Sequence, residues 1–135
     1  MALVEWRSEY SVRVQSIDSQ HQKIFEMINE LYDAMRAGDV AQVVPAILHR
    51  LAEYCRTHFA DEEKMMLQAE YPNYIRHRAE HNKLTKEVLT MEKDFHEDRV
   101  MRSLALLRLL NEWIQRHIIS ADQQYTSHLQ AAGIQ

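Results

Sequence analysis

Residues 19–37 read SQHQKIFEMINELYDAMRA, and the spacing of the apolar side chains in this stretch decides the fold. They recur at intervals of three and four, which is the pattern of one face of an α-helix. The apolar residues are Ile24, Met27, Ile28, Leu31 and Met35. Asp18 or Ser19 can cap the start of such a helix, and Gly38 can end it. We therefore predict a first helix over residues 19–37 that buries one face.

The same periodicity recurs in three later segments. The helices predicted there cover residues 41–67, 72–95 and 99–130. The stretch before them, residues 1–17, carries no sustained helical stripe and is predicted to form an extended arm. Four amphipathic helices joined by short links favour an all-α, antiparallel up-down-up-down four-helix bundle with this N-terminal arm. The chain is predicted to form a single domain over residues 1–135.

The composition excludes several other classes of protein. Two glycines and two prolines in 135 residues leave few tight turns for an all-β or Rossmann-type chain. A net charge of −4 without long blocks of either sign argues against a nucleic-acid-binding face. A single cysteine, Cys55, rules out an internal disulfide framework. No targeting segment and no membrane span are predicted, so the expected location is the cytoplasm.

Eight histidines are present, and five of them lie on predicted buried faces. The five are His21, His58, His77, His81 and His117. Glu62 follows the second of them by four residues, and Asp122 follows the last by five. In an antiparallel bundle the starts of the first and third helices share one end with the ends of the second and fourth, so all seven groups can meet at one level. Unpaired buried imidazoles and carboxylates cost free energy, and a metal site accounts for the set better than separate core histidines do.

The types of ligand narrow the choice of metal. Imidazole and carboxylate donors without a convergent thiolate suit Fe, Mn, Zn, Cu or Ni better than Mg or Ca. Seven ligands exceed what one ion uses, so we predict two ions bridged by Glu62 and Asp122. Three histidines then remain for one ion and two for the other. With a solvent-derived oxygen as a further bridge, the ion with two histidines has five ligands and one open position.

The spacing of the last two ligands predicts a local irregularity. A step of five residues places Asp122 about 140° from His117 on a regular α-helix, since each residue turns the chain by about 100°. Both can point to one site only if the helix is locally unwound. We therefore predict a π-bulge or unwinding near residues 117–122.

Three histidines and two acids are predicted to stay outside the site. His49 lies on the opposite side of its helix and faces solvent, and His96 lies in a link. His128 lies about 16 Å along the last helix from His117, too far to share the site. Asp61 and Glu63 are predicted to be solvated rather than ligating.

The ordered combination of these motifs resembles the hemerythrins, specifically the single-domain bacterial ones. The resemblance covers almost the whole chain, and the full ligand set of the family is present without a substitution. The matching segments are DSQH at 18–21, HFADEEKM at 58–65, YP at 71–72, HRAEH at 77–81 and WIQRHIISAD at 113–122.

The resemblance implies a di-iron centre with Fe²⁺ and Fe³⁺ states and a bridging oxo or hydroxo group. By carry-over, His77, His81 and His117 hold one iron, His21 and His58 hold the other, and Glu62 and Asp122 bridge them. Hemerythrins bind O2 reversibly at the five-coordinate iron, and small anions such as azide bind the ferric form. In the family an apolar O2 pocket is formed at the positions of Phe59, Trp113, Ile114 and Ile118.

The function implied by the resemblance is reversible O2 binding for storage, transport or delivery, without catalysis. No acid or hydroxyl for proton delivery is evident in the sequence beside the pocket residues, which favours binding over turnover. The alternatives are O2, redox or iron sensing, or a di-iron oxidase, peroxidase or nitric-oxide-consuming enzyme. A recipient oxygenase or oxidase is not identified by the sequence.

Overall fold

Four long helices make up most of the described chain, which comprises residues 3–38, 44–94 and 99–134 of a computed structural model. They are α1 (Gln15–Arg36), α2 (Val44–Gln68), α3 (Tyr74–Asp94) and α4 (Arg99–Trp113). A π-helical segment, Ile114–Ala121, extends α4 and leads to two short helices, α5 (Asp122–Gln124) and α6 (Thr126–Ala131). A 3₁₀ turn, Ser8–Tyr10, lies in the N-terminal arm. No strand occurs within the described ranges, and the predicted all-α four-helix bundle with an N-terminal arm is confirmed.

Two histidine pairs show that neighbouring helices run antiparallel. The Nε2 atom of His21, early in α1, lies 3.0 Å from Nε2 of His58, late in α2. The Nε2 atom of His81, early in α3, lies 2.9 Å from Nε2 of His117, in the π-helical segment after α4. The early parts of α1 and α3 therefore meet the late parts of the helices beside them at one end of the bundle.

Helix α1 begins at Gln15 and not at residue 19, so the predicted arm of residues 1–17 is too long. The N–H of Asp18 already donates to the carbonyl of Val14 at 2.9 Å, as in a helix. The Asp18 carboxylate does not cap the helix but accepts hydrogen bonds from the Ser11 hydroxyl and from the Val12 N–H. The Asp18 carboxylate thus holds the N-terminal arm against the start of α1. Local sequence spacing does not reveal this role.

The turn between α2 and α3 also shifts a predicted boundary. Helix α3 begins at Tyr74, two residues after Pro72, because Asn73 provides the carbonyl that accepts the first helical hydrogen bond, from His77. Glu70 adopts a positive φ of 54°, and the next N–H, of Tyr71, closes the end of α2. At the end of α1, Gly38 has a φ of 83°, as expected of the residue that ends a helix. The predicted start of the second helix at residue 41 and the link containing His96 lie outside the described residues.

The apolar core consists of two clusters separated by a layer of polar residues. The larger cluster fills the body of the bundle, and the smaller one joins the arm, the α2–α3 turn and the C-terminal helices. Members of the smaller cluster are Val12, Val14, Ile17, Met66, Tyr71, Tyr125 and Leu129. On α1, Ile17 belongs to the smaller cluster and Ile24 to the larger one, and buried His21 lies between them. On α2, buried Glu62 lies between Phe59 of the larger cluster and Met66 of the smaller one, so a buried polar layer separates the clusters.

Candidate metal centre

The seven predicted metal ligands come together in the polar layer. All seven are buried, with at most 4% of any residue exposed. Their ligand atoms form two groups that share Glu62, and within each group the atoms lie within 4.8 Å of one another. One group is His21, His58 and Glu62, and the other is Glu62, His77, His81, His117 and Asp122. Each group is an arrangement that could hold a metal ion.

Glu62 faces both groups of histidines. Its Oε2 atom lies 3.0 Å from Nε2 of His58, on the two-histidine side. Its Oε1 atom lies 2.8 Å from Nε2 of His77 and 3.2 Å from Nε2 of His81, on the three-histidine side. One carboxylate with an oxygen directed to each side has the geometry of a bridge.

Asp122 faces both sides in the same way. Its Oδ1 atom lies 2.9 Å from Nε2 of His77 and 3.0 Å from Nε2 of His117, and its Oδ2 atom lies 3.3 Å from Nε2 of His21. The two carboxylates thus connect α1, α2, α3 and the π-helical segment that follows α4.

The predicted irregularity near residues 117–122 is confirmed. The backbone is π-helical over Ile114–Ala121, and the N–H of Asp122 donates to the carbonyl of His117, five residues earlier. This i→i+5 hydrogen bond is the defining bond of a π-helix. It brings residues five apart onto one side of the chain, so both side chains reach the same site.

Without metal, the buried histidines and carboxylates of the site shift one another's pKa values strongly. Burial lowers the pKa of His21, but the nearby carboxylates of Asp122 and Glu62 outweigh burial and raise it to about 9. The same balance raises the pKa of His77 to about 10. Burial raises the pKa of Glu62, yet its histidine partners hold it well below the usual range. In this form the carboxylates are paired with protonated imidazoles, and a metal ion would compete with those protons.

The donor atoms fit metal ions better than they fit one another. The Nε2 atoms of His21 and His58 are 3.0 Å apart, and so close a pair of ring nitrogens can share only one proton. Among the described residues, Oε2 of Glu62 and both carboxylate oxygens of Asp122 form no hydrogen bond of good geometry, although histidine nitrogens lie near. Convergent lone pairs without partners are what a cation satisfies. Imidazole and carboxylate donors suit Fe, Mn, Zn, Cu or Ni.

Three further side chains hold the outer faces of the histidine rings. The side-chain oxygen of Gln20 lies 2.6 Å from Nδ1 of His58. A carboxylate oxygen of Glu63 lies 3.0 Å from Nδ1 of His81, and one of Glu80 lies 3.2 Å from Nδ1 of His117. Such hydrogen bonds fix the orientation of a metal-binding ring and direct its Nε2 inward.

Sequence reasoning missed these three residues. Glu63 is only 17% exposed and pairs with His81, so the prediction that it is simply solvated is wrong. Asp61 is not a ligand and accepts a hydrogen bond from the Gln20 amide at 3.0 Å. The signal that could have found them is their position, because each directly precedes or follows a predicted ligand in the chain.

Aromatic side chains cover the larger-cluster side of the histidines. The Phe59 ring stacks on the His81 ring, with centroids 3.9 Å apart and planes at 7°. The Trp113 ring stacks on His117, with centroids 5.6 Å apart and planes at 15°. Ile118 is fully buried, while the side chain of Ile114 lies outside the described residues. The walls described beside the imidazoles on this side are therefore apolar.

Tyr125 covers the opposite side of the layer and was not predicted. Its ring lies 5.6 Å from that of His77, and its hydroxyl is buried without a hydrogen-bond partner among the described residues. Burial and the nearby carboxylates of Glu62 and Asp122 raise the pKa of this phenol well above its usual value. Its place three residues after Asp122, almost one helical turn, is the signal that was available.

The predicted bystanders remain outside the site. His49 is exposed and lies 3.0 Å from the Glu92 carboxylate on α3, which confirms that it faces solvent. His128 packs against Tyr71, at a centroid distance of 5.1 Å, and belongs to neither ligand group. Cys55 lines an apolar pocket with Phe59, and burial raises the pKa of its thiol to about 12. Across the described ranges, no helix has the length and apolar character needed to cross a membrane.

Comparison with known proteins gives concordant matches. The family model described as the hemerythrin HHE cation binding domain matches residues 12–129. A bacteriohemerythrin of Methylococcus capsulatus is 32% identical over 132 residues, which cover 97% of this chain and 100% of that protein. A bacteriohemerythrin of Stenotrophomonas maltophilia is 31% identical, over 97% of this chain and 84% of that protein. A solved structure of wild-type hemerythrin has a TM-score of 0.84 at 30% identity and covers 95% of this chain and 98% of that one.

Proposed function

The chain belongs to the hemerythrin family, and from this premise we propose that it binds O2 reversibly at a di-iron centre, for oxygen storage, transport or delivery. The observation that carries the proposal is the pair of buried carboxylates, Glu62 and Asp122, each with one oxygen toward either group of histidines. Two carboxylates placed in this way can hold two ions side by side.

In this proposal the two groups have different tasks. His77, His81 and His117 hold one iron, and His21 and His58 hold the other, as in the family. The side with two histidines has fewer protein donors, which leaves room there for O2 or, in the ferric form, for a small anion such as azide. When bound, the two ferrous ions supply the electrons that O2 accepts on binding.

The protein residues restrict what else reaches the site. Phe59 contacts rings of both groups, since its centroid lies 5.6 Å from that of His58 and 3.9 Å from that of His81. Trp113 and fully buried Ile118 extend this apolar wall. Apolar walls keep water and protons away from bound O2. This favours release of the bound ligand as O2 over its loss as peroxide, and we propose that the protein is a carrier and not an enzyme.

The test is spectroscopic. The iron-loaded protein, reduced under anaerobic conditions, is expected to develop a visible absorption band on addition of O2 and to lose it when O2 is removed, with two irons per chain by metal analysis. His58→Ala is expected to abolish the band, whereas His49→Ala, which changes an exposed histidine, preserves it. Continuous consumption of O2 with product formation would contradict the proposal and identify a di-iron oxidase or peroxidase.

A further inference from the structure

The outer hydrogen bonds of the histidines follow the order of the helices. In each, a side chain adjacent to a predicted ligand reaches a histidine of the next helix along the chain. The pairs are Gln20 with His58, Glu63 with His81, and Glu80 with His117. No corresponding hydrogen bond reaches the histidine of α1, because the buried Nδ1 atom of His21 has no hydrogen-bond partner among the described residues.

These partners differ in charge between the two groups. On the two-histidine side the outer partner is a neutral amide, that of Gln20. On the three-histidine side, His81 and His117 each face a carboxylate, Glu63 and Glu80. The inner carboxylates show no such difference, because Glu62 and Asp122 each direct one oxygen toward either set of histidines.

The charge of the outer partner alters the imidazole itself. A ring whose Nε2 binds a metal carries its proton on Nδ1 and donates it outward. A carboxylate draws on that proton more strongly than an amide oxygen does, because a hydrogen bond to an ionised acceptor is about twice as strong. The ring then gives more electron density to the metal through Nε2, which favours the more highly charged metal ion.

We propose that Glu63 and Glu80 are positioning residues that make the iron held by His77, His81 and His117 the first of the two to be oxidised. This order of oxidation rests on the proposed di-iron function for the identity of the metal. With a one-electron oxidant such as ferricyanide, one ferrous ion loses one electron to give ferric iron, and ferricyanide becomes ferrocyanide. The intermediate with one ferric ion then has that ion on the three-histidine side.

The two carboxylates are not equally accessible. Glu63 is largely buried, and its other oxygen lies 3.7 Å from Nε of Arg78. Glu80 is half exposed and lines a surface groove together with Glu112 and Arg116. Glu80 is therefore the milder position to change, and Glu112 in the same groove is a matched control for the loss of one negative charge.

The experiment is an anaerobic redox titration of the iron-loaded protein without O2, followed by visible and Mössbauer spectroscopy. The wild type is expected to be oxidised in two separate one-electron steps. Glu80→Gln and Glu63→Gln keep an acceptor oxygen but remove its charge. Each is expected to raise the lower of the two reduction potentials and so to reduce the difference between them. Gln20→Glu is expected to reduce the same difference by lowering the higher reduction potential. A tenfold change in the equilibrium constant corresponds to 59 mV for one electron.

A second readout needs neither iron nor O2. Calorimetric titration with Zn²⁺ is expected to show two binding steps, and Glu80→Gln is expected to weaken one of them by about 10–100-fold. The unfolding midpoint of metal-free Glu80→Gln is expected to match that of the wild type, since the side chain is half exposed.

The proposal is overturned if the wild type loses both electrons in one step, if the three variants leave the difference between the two reduction potentials unchanged, or if Glu112→Gln shifts it as much as Glu80→Gln does. These outcomes are independent of the carrier function. A protein whose two potentials respond as expected but whose O2 band is irreversible would contradict only the proposed function.

Discussion

Glu62 is the side chain on which the two ligand groups depend, because it is the residue common to both. Its four histidine partners come from α1, α2 and α3, and no solvent reaches it. A buried carboxylate in such a place is tolerated only because protonated imidazoles or metal ions balance its charge. The neighbouring acids Asp61 and Glu63 belong to neither ligand group and instead pair with Gln20 and His81, so one step along a helix changes the role of an acidic residue.

Replacing Glu62 is expected to damage both the metal site and the metal-free protein. Glu62→Gln removes the charge that stabilises protonated His21 and His77, and breaking a buried ion pair in this way costs roughly 3–5 kcal/mol. Urea unfolding in the presence of chelator measures the loss, and metal analysis is expected to find fewer than two ions per chain. Asp61→Asn, one residue away, is the control and should retain both ions. Retention of two ions by Glu62→Gln would show that this carboxylate is not a bridge.

Removal of the buried Tyr125 hydroxyl is expected to have the opposite effect on the free energy of unfolding. Tyr125→Phe removes a hydroxyl that has no hydrogen-bond partner in the described structure, and it keeps the packing of the ring. Removing an unsatisfied buried polar group is nearly neutral or stabilising. The free energy of unfolding of the metal-free protein is therefore expected to stay equal or to rise by about 1 kcal/mol in urea titrations. A loss of more than about 1 kcal/mol would show that the hydroxyl donates to Glu62.

At the level of elements, the π-helical segment decides whether the last helix can contribute two ligands. His58 and Glu62 are four residues apart on a regular helix, and His117 and Asp122 are five apart on a π-helix. Both spacings satisfy the same requirement, namely that the two side chains point in one direction.

The spacing can be tested by changing it by one residue in each direction. Deleting Ile119 leaves the two ligands four apart, which an ordinary α-helix accommodates, so the variant is expected to bind two metal ions. Inserting an alanine after Ile119 makes the step six and turns Asp122 about 100° further away. This variant is expected to lose at least one ion and to melt at a lower temperature when loaded. Equal metal content in the two variants would contradict the role assigned to the segment.

The helices and the identity of the site could be predicted because they depend on local spacing. Apolar periodicity locates a helix, and His58 and Glu62 must share a face whatever surrounds them. The parts that could not be predicted depend on distant residues. Asp18 is an ordinary capping residue by its position, and only the folded arm shows that it binds Ser11 and Val12. Glu80 has the sequence pattern of a surface charge, and only the folded bundle shows that the π-helical segment after α4 places His117 beside it.

For the whole molecule, the buried charges make the stability of the metal-free form depend on pH from both sides. His21 and His77 have pKa values of about 9 and about 10, against 6.5 in an unfolded chain. Their contribution is complete below pH 6.5 and is lost as the pH rises through 9 to 10. Glu62 and Asp122 have lowered pKa values, so their contribution is present above their ordinary values of 4.5 and 3.8 and is lost as the pH falls below them.

Metal-free protein is therefore expected to lose stability as the pH rises through 9 to 10, and to lose it again as the pH falls below about 4. Unfolding midpoints in urea, measured with chelator at intervals from pH 4 to 10, test this. The His49→Gln variant, which changes an exposed histidine, should show the same profile as the wild type. A midpoint that stays constant between pH 6.5 and 10 would contradict the assigned proton positions.

The polar layer between the two apolar clusters has a consequence for how the bundle comes apart. Each cluster is bound to the other mainly through the helices that cross the layer, so removal of metal takes away the strongest bonds at that level. We expect the arm and the C-terminal helices around Tyr125 and Leu129 then to open as a separate cooperative unit, with faster amide hydrogen exchange than the body of the bundle. With metal bound, both parts are expected to exchange at one common, slow rate, so that metal occupancy determines whether this molecule behaves as one folding unit or as two.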